Sequence, residues 1–157
     1  MRKRIIPPAK QNISPLDENW LDLERLAQVE ITSEDATYPI ESALLPGQVW
    51  GWRATQPGEQ SIRLLFEHPQ RLRRIWLQFV EPVTERTQEF VLRWSPDGGQ
   101  SFWEIVRQQW NFSPHGATTQ IEDQHIDLTS VTVLELSIVP DTSGGPAHAS
   151  LARLRLA

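Results

Sequence analysis

The sequence predicts an all-β protein, built as one antiparallel β-sandwich. Roughly eight short segments alternate apolar and polar side chains, and polar turns rich in Gly, Pro, Asp and Ser separate them. No segment repeats at a period of about 20 to 50 residues, which argues against solenoids and propellers. The length of 157 residues is that of a single domain with one core.

The N-terminal part of the chain is predicted to be an arm followed by the first strand. Residues 1–19 are charged, contain Pro and lack periodicity, so we assign them to an arm or tail and residues 20–157 to one sandwich domain. Val29 and Ile31 alternate with polar neighbours, which predicts a strand. A turn region follows, with one helical turn expected at residues 40–45 before a Pro-Gly pair.

The rest of the chain is predicted to form consecutive β-strands joined by turns. The segment His68-Pro69-Gln70 is expected to turn the chain between two of them. Trp76 and Trp110 lie opposite the apolar sets of their strands and are expected to be exposed. The side chains expected to face the core are Ile62, Leu64 and Phe66; Ile75, Leu77 and Phe79; Phe90, Leu92 and Trp94; and Leu134, Leu136 and Ile138.

The stretch SPDGGQSFWEIV, residues 95–106, is predicted to be a turn between two of these strands. A phosphate cradle would need a helix after the glycines, but a strand pattern follows. The G-x-S-x-G pattern of a nucleophile elbow is absent. Asp97 can accept local N–H bonds, and Gly98 and Gly99 can adopt positive φ. The stretch resembles the Asp-box of sialidases, but a single copy does not make a propeller.

Composition and charge exclude several classes of protein. A net charge of −5 and a pI near 5.4 exclude a general nucleic-acid binder, which needs a basic face. Without Cys there are no disulfides or thiolate metal sites. The first apolar run is only Ile5-Ile6, whereas a signal peptide needs roughly 7 or more apolar residues and a membrane helix roughly 18. We therefore expect a soluble, cytoplasmic protein that does not bind membranes.

Neither the acidic residues nor the histidines form a catalytic or metal-binding pattern. The pairs Glu34-Asp35 and Glu122-Asp123 would point to opposite faces of a strand. No nucleophile with an adjacent base and no cofactor fingerprint is present, so we expect no enzyme, no catalytic residue and no cofactor. The four histidines are too scattered for a local metal site, and they are His68, His115, His125 and His148.

Several aromatic and polar residues on predicted loops or strand ends have the chemistry of a sugar-binding site. An aromatic ring can stack on the C–H face of a pyranose, while Arg, Asn and His bind the hydroxyl groups. The alternative is that these aromatics plug the ends of the sandwich or cover a dimer contact. The candidate ligand-binding residues are Tyr38, Trp52, Arg53, Trp110, Asn111 and His115.

The order of the motifs resembles that of the discoidin, or coagulation factor type C, domains, which are galactose-binding-like jelly rolls. The resemblance covers roughly residues 20–157 and implies a non-catalytic module with a carbohydrate ligand. The alternative is an intracellular protein-interaction or assembly subunit, for instance a homodimer, on the same scaffold. The segments that carry the resemblance are residues 38–44, Trp50 and Trp52, and residues 73–78, 90–98 and 149–156.

The resemblance also bears on calcium. Family members with a structural calcium use loop carbonyls and acidic oxygens, and calcium prefers about six to eight oxygen ligands. Here Pro46-Gly47 stands where the first loop often has Asp-Gly, and Arg153 stands near the place of a Glu in the closing strand. We therefore expect no calcium, or at best a degenerate site.

Overall fold

The protein was analysed as a computed structural model, which describes residues 1–5 and 19–157. Most of the expected N-terminal arm, residues 6–18, lies outside the described residues, and the division into arm and domain stays a prediction. The described chain forms two short helices, α1 (Leu23–Leu26) and α2 (Glu41–Leu44), and the strands β1 (Ala27–Ile31), β2 (Trp52–Pro57), β3 (Gln60–Val80), β4 (Arg86–Ser95), β5 (Trp103–Phe112), β6 (Thr119–Val139), β7 (His148–Leu151) and β8 (Arg153–Leu156).

Two long strands run through both layers of the sandwich. β3 and β6 have 21 residues each and pair antiparallel along most of their length. The first half of β3 lies in a layer ordered β1-β3-β6-β4-β5, and its second half pairs with β6 on one side and β8 on the other. β2 and β7 form a separate two-stranded sheet. This antiparallel arrangement confirms the predicted β-sandwich of the jelly-roll type.

The predicted turn at residues 68–70 is wrong, because β3 passes through it without a break. The pairing of β3 with β6 shifts register between Leu65 and Gln70 and again before Leu72. Pro69 lies in this interruption, where no N–H is needed for the ladder, so the strand bends there and continues. The matching residues of β6 also form one continuous strand.

The predicted core faces are confirmed. Eleven of the twelve side chains expected to face inward are buried, and Trp94 is half-buried against them. The expected exposure of Trp76 is wrong, because its residue is only 6% exposed. Trp76 lies on the outer face of β3, but β3 is central there and pairs Trp76 with Asp123 and Arg155. Trp76 therefore has a paired strand on each side, unlike a residue on an edge strand.

The stretch from Ser95 to Ser101 is a turn between β4 and β5, as predicted. Gly98 and Gly99 have φ of +75° and +96°, and Trp94 pairs with Trp103 across the turn. The Asp97 carboxylate accepts hydrogen bonds from the Ser101 hydroxyl, the Ser95 hydroxyl and the Ser101 N–H, which lower the pKa of Asp97 to about 2. The Asp97 side chain therefore stabilises the turn.

A buried arginine in the closing strand binds the C-terminal end of α2. The Arg155 guanidinium donates hydrogen bonds to the carbonyl oxygens of Ala43 (2.9 Å) and Leu45 (3.2 Å). The resemblance placed a calcium site among such loop carbonyls, with Arg153 as the disturbing charge. Because a cationic side chain already uses these two oxygens, the residues present do not fit a calcium ion there.

Replacing Arg155 by methionine is expected to lower the free energy of unfolding by about 2 to 4 kcal/mol, since it leaves buried carbonyls without donors. Chemical denaturation monitored by tryptophan fluorescence measures this. Arg153→Met is the matched control, because Arg153 lies on the same strand, is half-buried and makes no side-chain hydrogen bond within the described residues. Equal losses in the two variants would show that the Ala43 and Leu45 contacts contribute nothing.

Candidate ligand-binding cleft

A cleft of about 670 Å³ opens at one end of the sandwich, beside the small β2–β7 sheet. This volume is within the range of roughly 300 to 1,000 Å³ that is usual for small-ligand sites. The cleft lies between the β3–β4 loop, the β6–β7 loop and the segment that precedes β2. Its lining includes Tyr38, Trp50, Trp52, Arg53, Val80, Glu81, Pro82, Val83, Thr84, Asp141, Pro146, Ala147, His148 and Ser150.

One buried arginine at the start of β4 joins two walls of the cleft. The side chain of Arg86 is 1% exposed, and its Nε donates to Glu81 Oε1 at 2.8 Å. Its Nη1 donates to the carbonyl oxygen of Pro140 at 2.6 Å, and the guanidinium lies 4.8 Å from the centre of the Phe112 ring. Arg86 therefore fixes the loop after β3 relative to the loop after β6.

Glu81 in turn binds the backbone of the β3–β4 loop. Its second oxygen accepts hydrogen bonds from the backbone N–H groups of Val83 and Thr84, both at 3.3 Å. Burial raises the pKa of Glu81, but the donors Arg86, Val83 and Thr84 outweigh it and leave the pKa below its ordinary value. Glu81 is thus a structural carboxylate whose oxygens are occupied.

In the segment Trp50-Gly51-Trp52, the first tryptophan is exposed and the second is buried. Trp50 is 75% exposed, whereas Trp52 is 1% exposed and its Nε1 donates to the Ser33 carbonyl oxygen at 3.1 Å. Gly51 has φ of +72°, and a Cβ added to it would lie 2.7 Å from the carbonyl oxygen of Leu151. Only glycine fits there, and this conformation leaves the Trp50 indole at the cleft.

Three polar side chains in the cleft are available to a ligand. The backbones of Tyr38 and Arg53 are joined by the Arg53 N–H to Tyr38 carbonyl bond of 3.1 Å. Within the described part of the chain, neither the Tyr38 hydroxyl nor the Arg53 guanidinium has a hydrogen-bond partner. His148 Nδ1 lies 3.0 Å from the Ala54 carbonyl oxygen. Because a carbonyl only accepts, a neutral His148 carries its proton on Nδ1 and leaves Nε2 as an acceptor.

Comparison with known proteins identifies the fold. No protein-family model and no curated protein matches the sequence. Among solved structures, the chain is similar to the family 32 carbohydrate-binding module of Clostridium perfringens NanJ in complex with galactose, with 13% identity over 83% of this chain and 92% of that chain and a TM-score of 0.62. The chain has the galactose-binding-like fold. This confirms the fold that the discoidin resemblance implied.

Two further solved structures are similar to this chain. Chitosan-binding module 1 from a Paenibacillus sp. IK-5 chitosanase/glucanase has 14% identity over 86% of this chain and 97% of that chain, with a TM-score of 0.62. XRCC1, solved in its reduced form bound to the catalytic domain of DNA polymerase β, has 14% identity over 85% of this chain and 96% of that chain, with a TM-score of 0.60. Identities this low establish the fold alone.

The structure brings only half of the predicted site residues into the cleft. Tyr38, Trp52 and Arg53 line it, although Trp52 is a buried part of the wall. Trp110 is half-buried against the core, and His115 is exposed in the β5–β6 loop. Asn111 lies in a second hollow beside the cleft. The binding roles of all six residues remain predictions.

The sequence analysis missed Trp50 and His148 as candidates. The sequence analysis names Trp50 only among the segments that carry the resemblance, and His148 only as one of four scattered histidines. Gly51, between the two tryptophans, was the sequence feature that could have identified Trp50. A glycine can adopt positive φ, and this conformation can direct one of its two neighbours towards solvent. For His148 the sequence holds no such signal, since its position depends on the β2–β7 pairing.

Two other kinds of feature are absent from the described residues. No group of three or more His, Asp or Glu side chains among them could hold a metal ion. In the same part of the chain, no helix has the length and hydropathy needed to cross a bilayer.

Proposed function

We propose that this chain is a non-catalytic carbohydrate-binding module whose sugar binds in the cleft beside Trp50. The observation that carries the proposal is an exposed indole in one cleft with the Tyr38 hydroxyl, the Arg53 guanidinium and the Nε2 atom of His148. The structural neighbours solved with galactose and described as chitosan-binding support the same class of ligand.

The chemistry of the cleft suits a pyranose. An aromatic face packs against the C–H side of a sugar ring, and directional hydrogen bonds bind its hydroxyl groups. Arg53 offers donors, neutral His148 offers an acceptor at Nε2, and the Tyr38 hydroxyl offers both. Val80 and Val83, which are 39% and 76% exposed, extend the apolar surface next to Trp50.

The two carboxylates of the cleft support a binding role without catalysis. A glycosidase needs a carboxylic acid with a raised pKa as its general acid. The pKa of Glu81 is lowered by its hydrogen bonds, and that of Asp141 is lowered first by the Ser143 hydroxyl and then by the Ser143 N–H. Both groups are therefore ionised at neutral pH.

Replacing Trp50 by alanine is expected to weaken sugar binding by about 30-fold, the equivalent of a loss of about 2 kcal/mol for a central aromatic contact. The measurement is an NMR or calorimetric titration with galactose, N-acetylgalactosamine and glucosamine, in which we expect a Kd near 1 mM for the best ligand. The unfolding midpoint should stay unchanged, because the Trp50 side chain is exposed.

Trp103→Ala is the matched control, since Trp103 is 60% exposed but does not line the cleft. Its sugar affinity should equal that of the wild type. If Trp50→Ala binds the sugars as well as Trp103→Ala does, the cleft is not the site. If none of the three sugars binds, the carbohydrate proposal fails for these ligands.

A second candidate function is protein interaction through the same end of the sandwich. It is favoured by the apolar side chains Trp50, Val80 and Val83, which remain uncovered there. The structural neighbour XRCC1 is described as bound to a polymerase domain, and the expected cytoplasmic location would suit this function better than sugar binding. Light scattering that shows a dimer, lost in Val83→Glu, would support this candidate over the first.

A further inference from the structure

We infer that the ligand of this cleft is an oligosaccharide, because a second hollow of polar character borders the cleft and shares Asp141 with it. The second hollow has a volume of about 400 Å³, and Asp141 lines both hollows. The inference rests on the proposed carbohydrate-binding function and adds the length of the ligand to it.

The two hollows differ in the groups that they offer. The first has the Trp50 indole and apolar side chains, whereas the second is lined by Glu85, Thr87, Asn111 and Ser143 among others. Asn111 Oδ1 accepts a hydrogen bond of 2.7 Å from the Thr87 hydroxyl, which leaves the two amide N–H donors of Asn111 without a partner among the described residues. The Glu85 carboxylate is exposed beside it.

A polar hollow without a stacking platform binds sugar hydroxyls weakly by itself. Each hydrogen bond to the sugar replaces one to water, so its net contribution is small. Once a first sugar is held at Trp50, a linked second sugar meets the Asn111 and Glu85 groups at high effective concentration. The second hollow therefore adds affinity only for ligands that span both.

Hydrogen bonds hold Asp141, the residue that lines both hollows. Asp141 Oδ1 accepts hydrogen bonds from the Ser143 hydroxyl at 2.8 Å and the Ser143 N–H at 3.1 Å. On the preceding residue, the Pro140 carbonyl oxygen is held by the buried Arg86 at 2.6 Å. A segment that is already held in place requires little ordering when a ligand binds on both sides of it, which favours binding of a chain of sugars.

The test measures affinity against ligand length by isothermal titration calorimetry. The probes are galactose with β-1,4-galacto-oligosaccharides of increasing length, and glucosamine with chitosan oligosaccharides. For the series that binds, we expect affinity to rise at least about tenfold from the monosaccharide to the longer sugars. Asn111→Ala should remove most of this rise, and its loss should be confined to the longer sugars.

Gln109→Ala is the matched control, since Gln109 lies on the same strand, donates to Glu89 on β4 at 3.0 Å and lines neither hollow. It should keep the full rise with length. Equal affinity for all lengths would overturn the inference and leave the proposed function in place. A rise that survives both Asn111→Ala and Glu85→Gln would also overturn it, whereas a lack of binding by every sugar would overturn both proposals.

Discussion

Replacing Arg86 by methionine is expected to lower the free energy of unfolding by about 3 kcal/mol at neutral pH. The change removes the donor to the Pro140 carbonyl and leaves the Glu81 carboxylate partly buried without its cation, and breaking such a pair costs roughly 3 to 5 kcal/mol when it is fully buried. We use the lower end because the Glu81 side chain is 19% exposed. Urea denaturation measures the effect.

The matched control is Arg71→Met, which removes a comparable arginine–carboxylate pair at the surface. Arg71 and Asp127 form two hydrogen bonds of 2.9 and 3.0 Å, but their side chains are 49% and 58% exposed. Solvent screens such a pair, so the control should lose much less stability than Arg86→Met does. Equal losses in the two variants would contradict the role of Arg86 in joining the cleft walls.

The pH dependence of stability gives a second measure of the Arg86–Glu81 contact. The pKa of Glu81 is lower in the folded state than its ordinary value of 4.5, so the unfolded chain binds the proton more readily. The stabilisation from this group is present above pH 4.5 and is lost as the pH falls through the folded pKa. The stability difference between wild type and Arg86→Met should therefore shrink on acidification, and a difference that stays constant would count against the contact.

Gly51→Ala is expected to destabilise the protein by about 3 kcal/mol or more and to abolish sugar binding. A left-handed conformation costs a non-glycine residue roughly 1 to 2 kcal/mol, and the new Cβ would lie 2.7 Å from the Leu151 carbonyl oxygen. Relief of this clash must separate β7 from the segment that carries Trp50. Thermal unfolding and the galactose titration are the two measurements.

Gly47→Ala separates the two causes of this effect. Gly47 has φ of +81° but open space where its Cβ would be, so Gly47→Ala carries the conformational cost alone. We expect a loss of about 1 kcal/mol with sugar binding retained. If Gly51→Ala is no worse than Gly47→Ala, the close approach to Leu151 does not hold the tryptophan segment in place.

The inward faces of the strands were predictable because period-two burial is a local property. Residues such as Leu64, Leu92 and Leu136 are apolar at alternate positions, and each lies in the core. The turn at Asp97 was predictable for the same reason, since its glycines and its Ser and Asp hydrogen bonds are all within the turn. The burial of Trp76 was not, because it depends on Asp123 and Arg155 from two other strands.

The sequence by itself determined the class of fold, the composition of the core and the supply of aromatic and polar side chains for a ligand. Tertiary structure decided that Pro69 bends a strand without ending it, that Trp50 and not Trp52 faces the cleft, and that Asn111 lies in a hollow next to Asp141. The physical reason is that side-chain alternation is set by each residue's own backbone, whereas these three outcomes depend on contacts between segments distant in the chain.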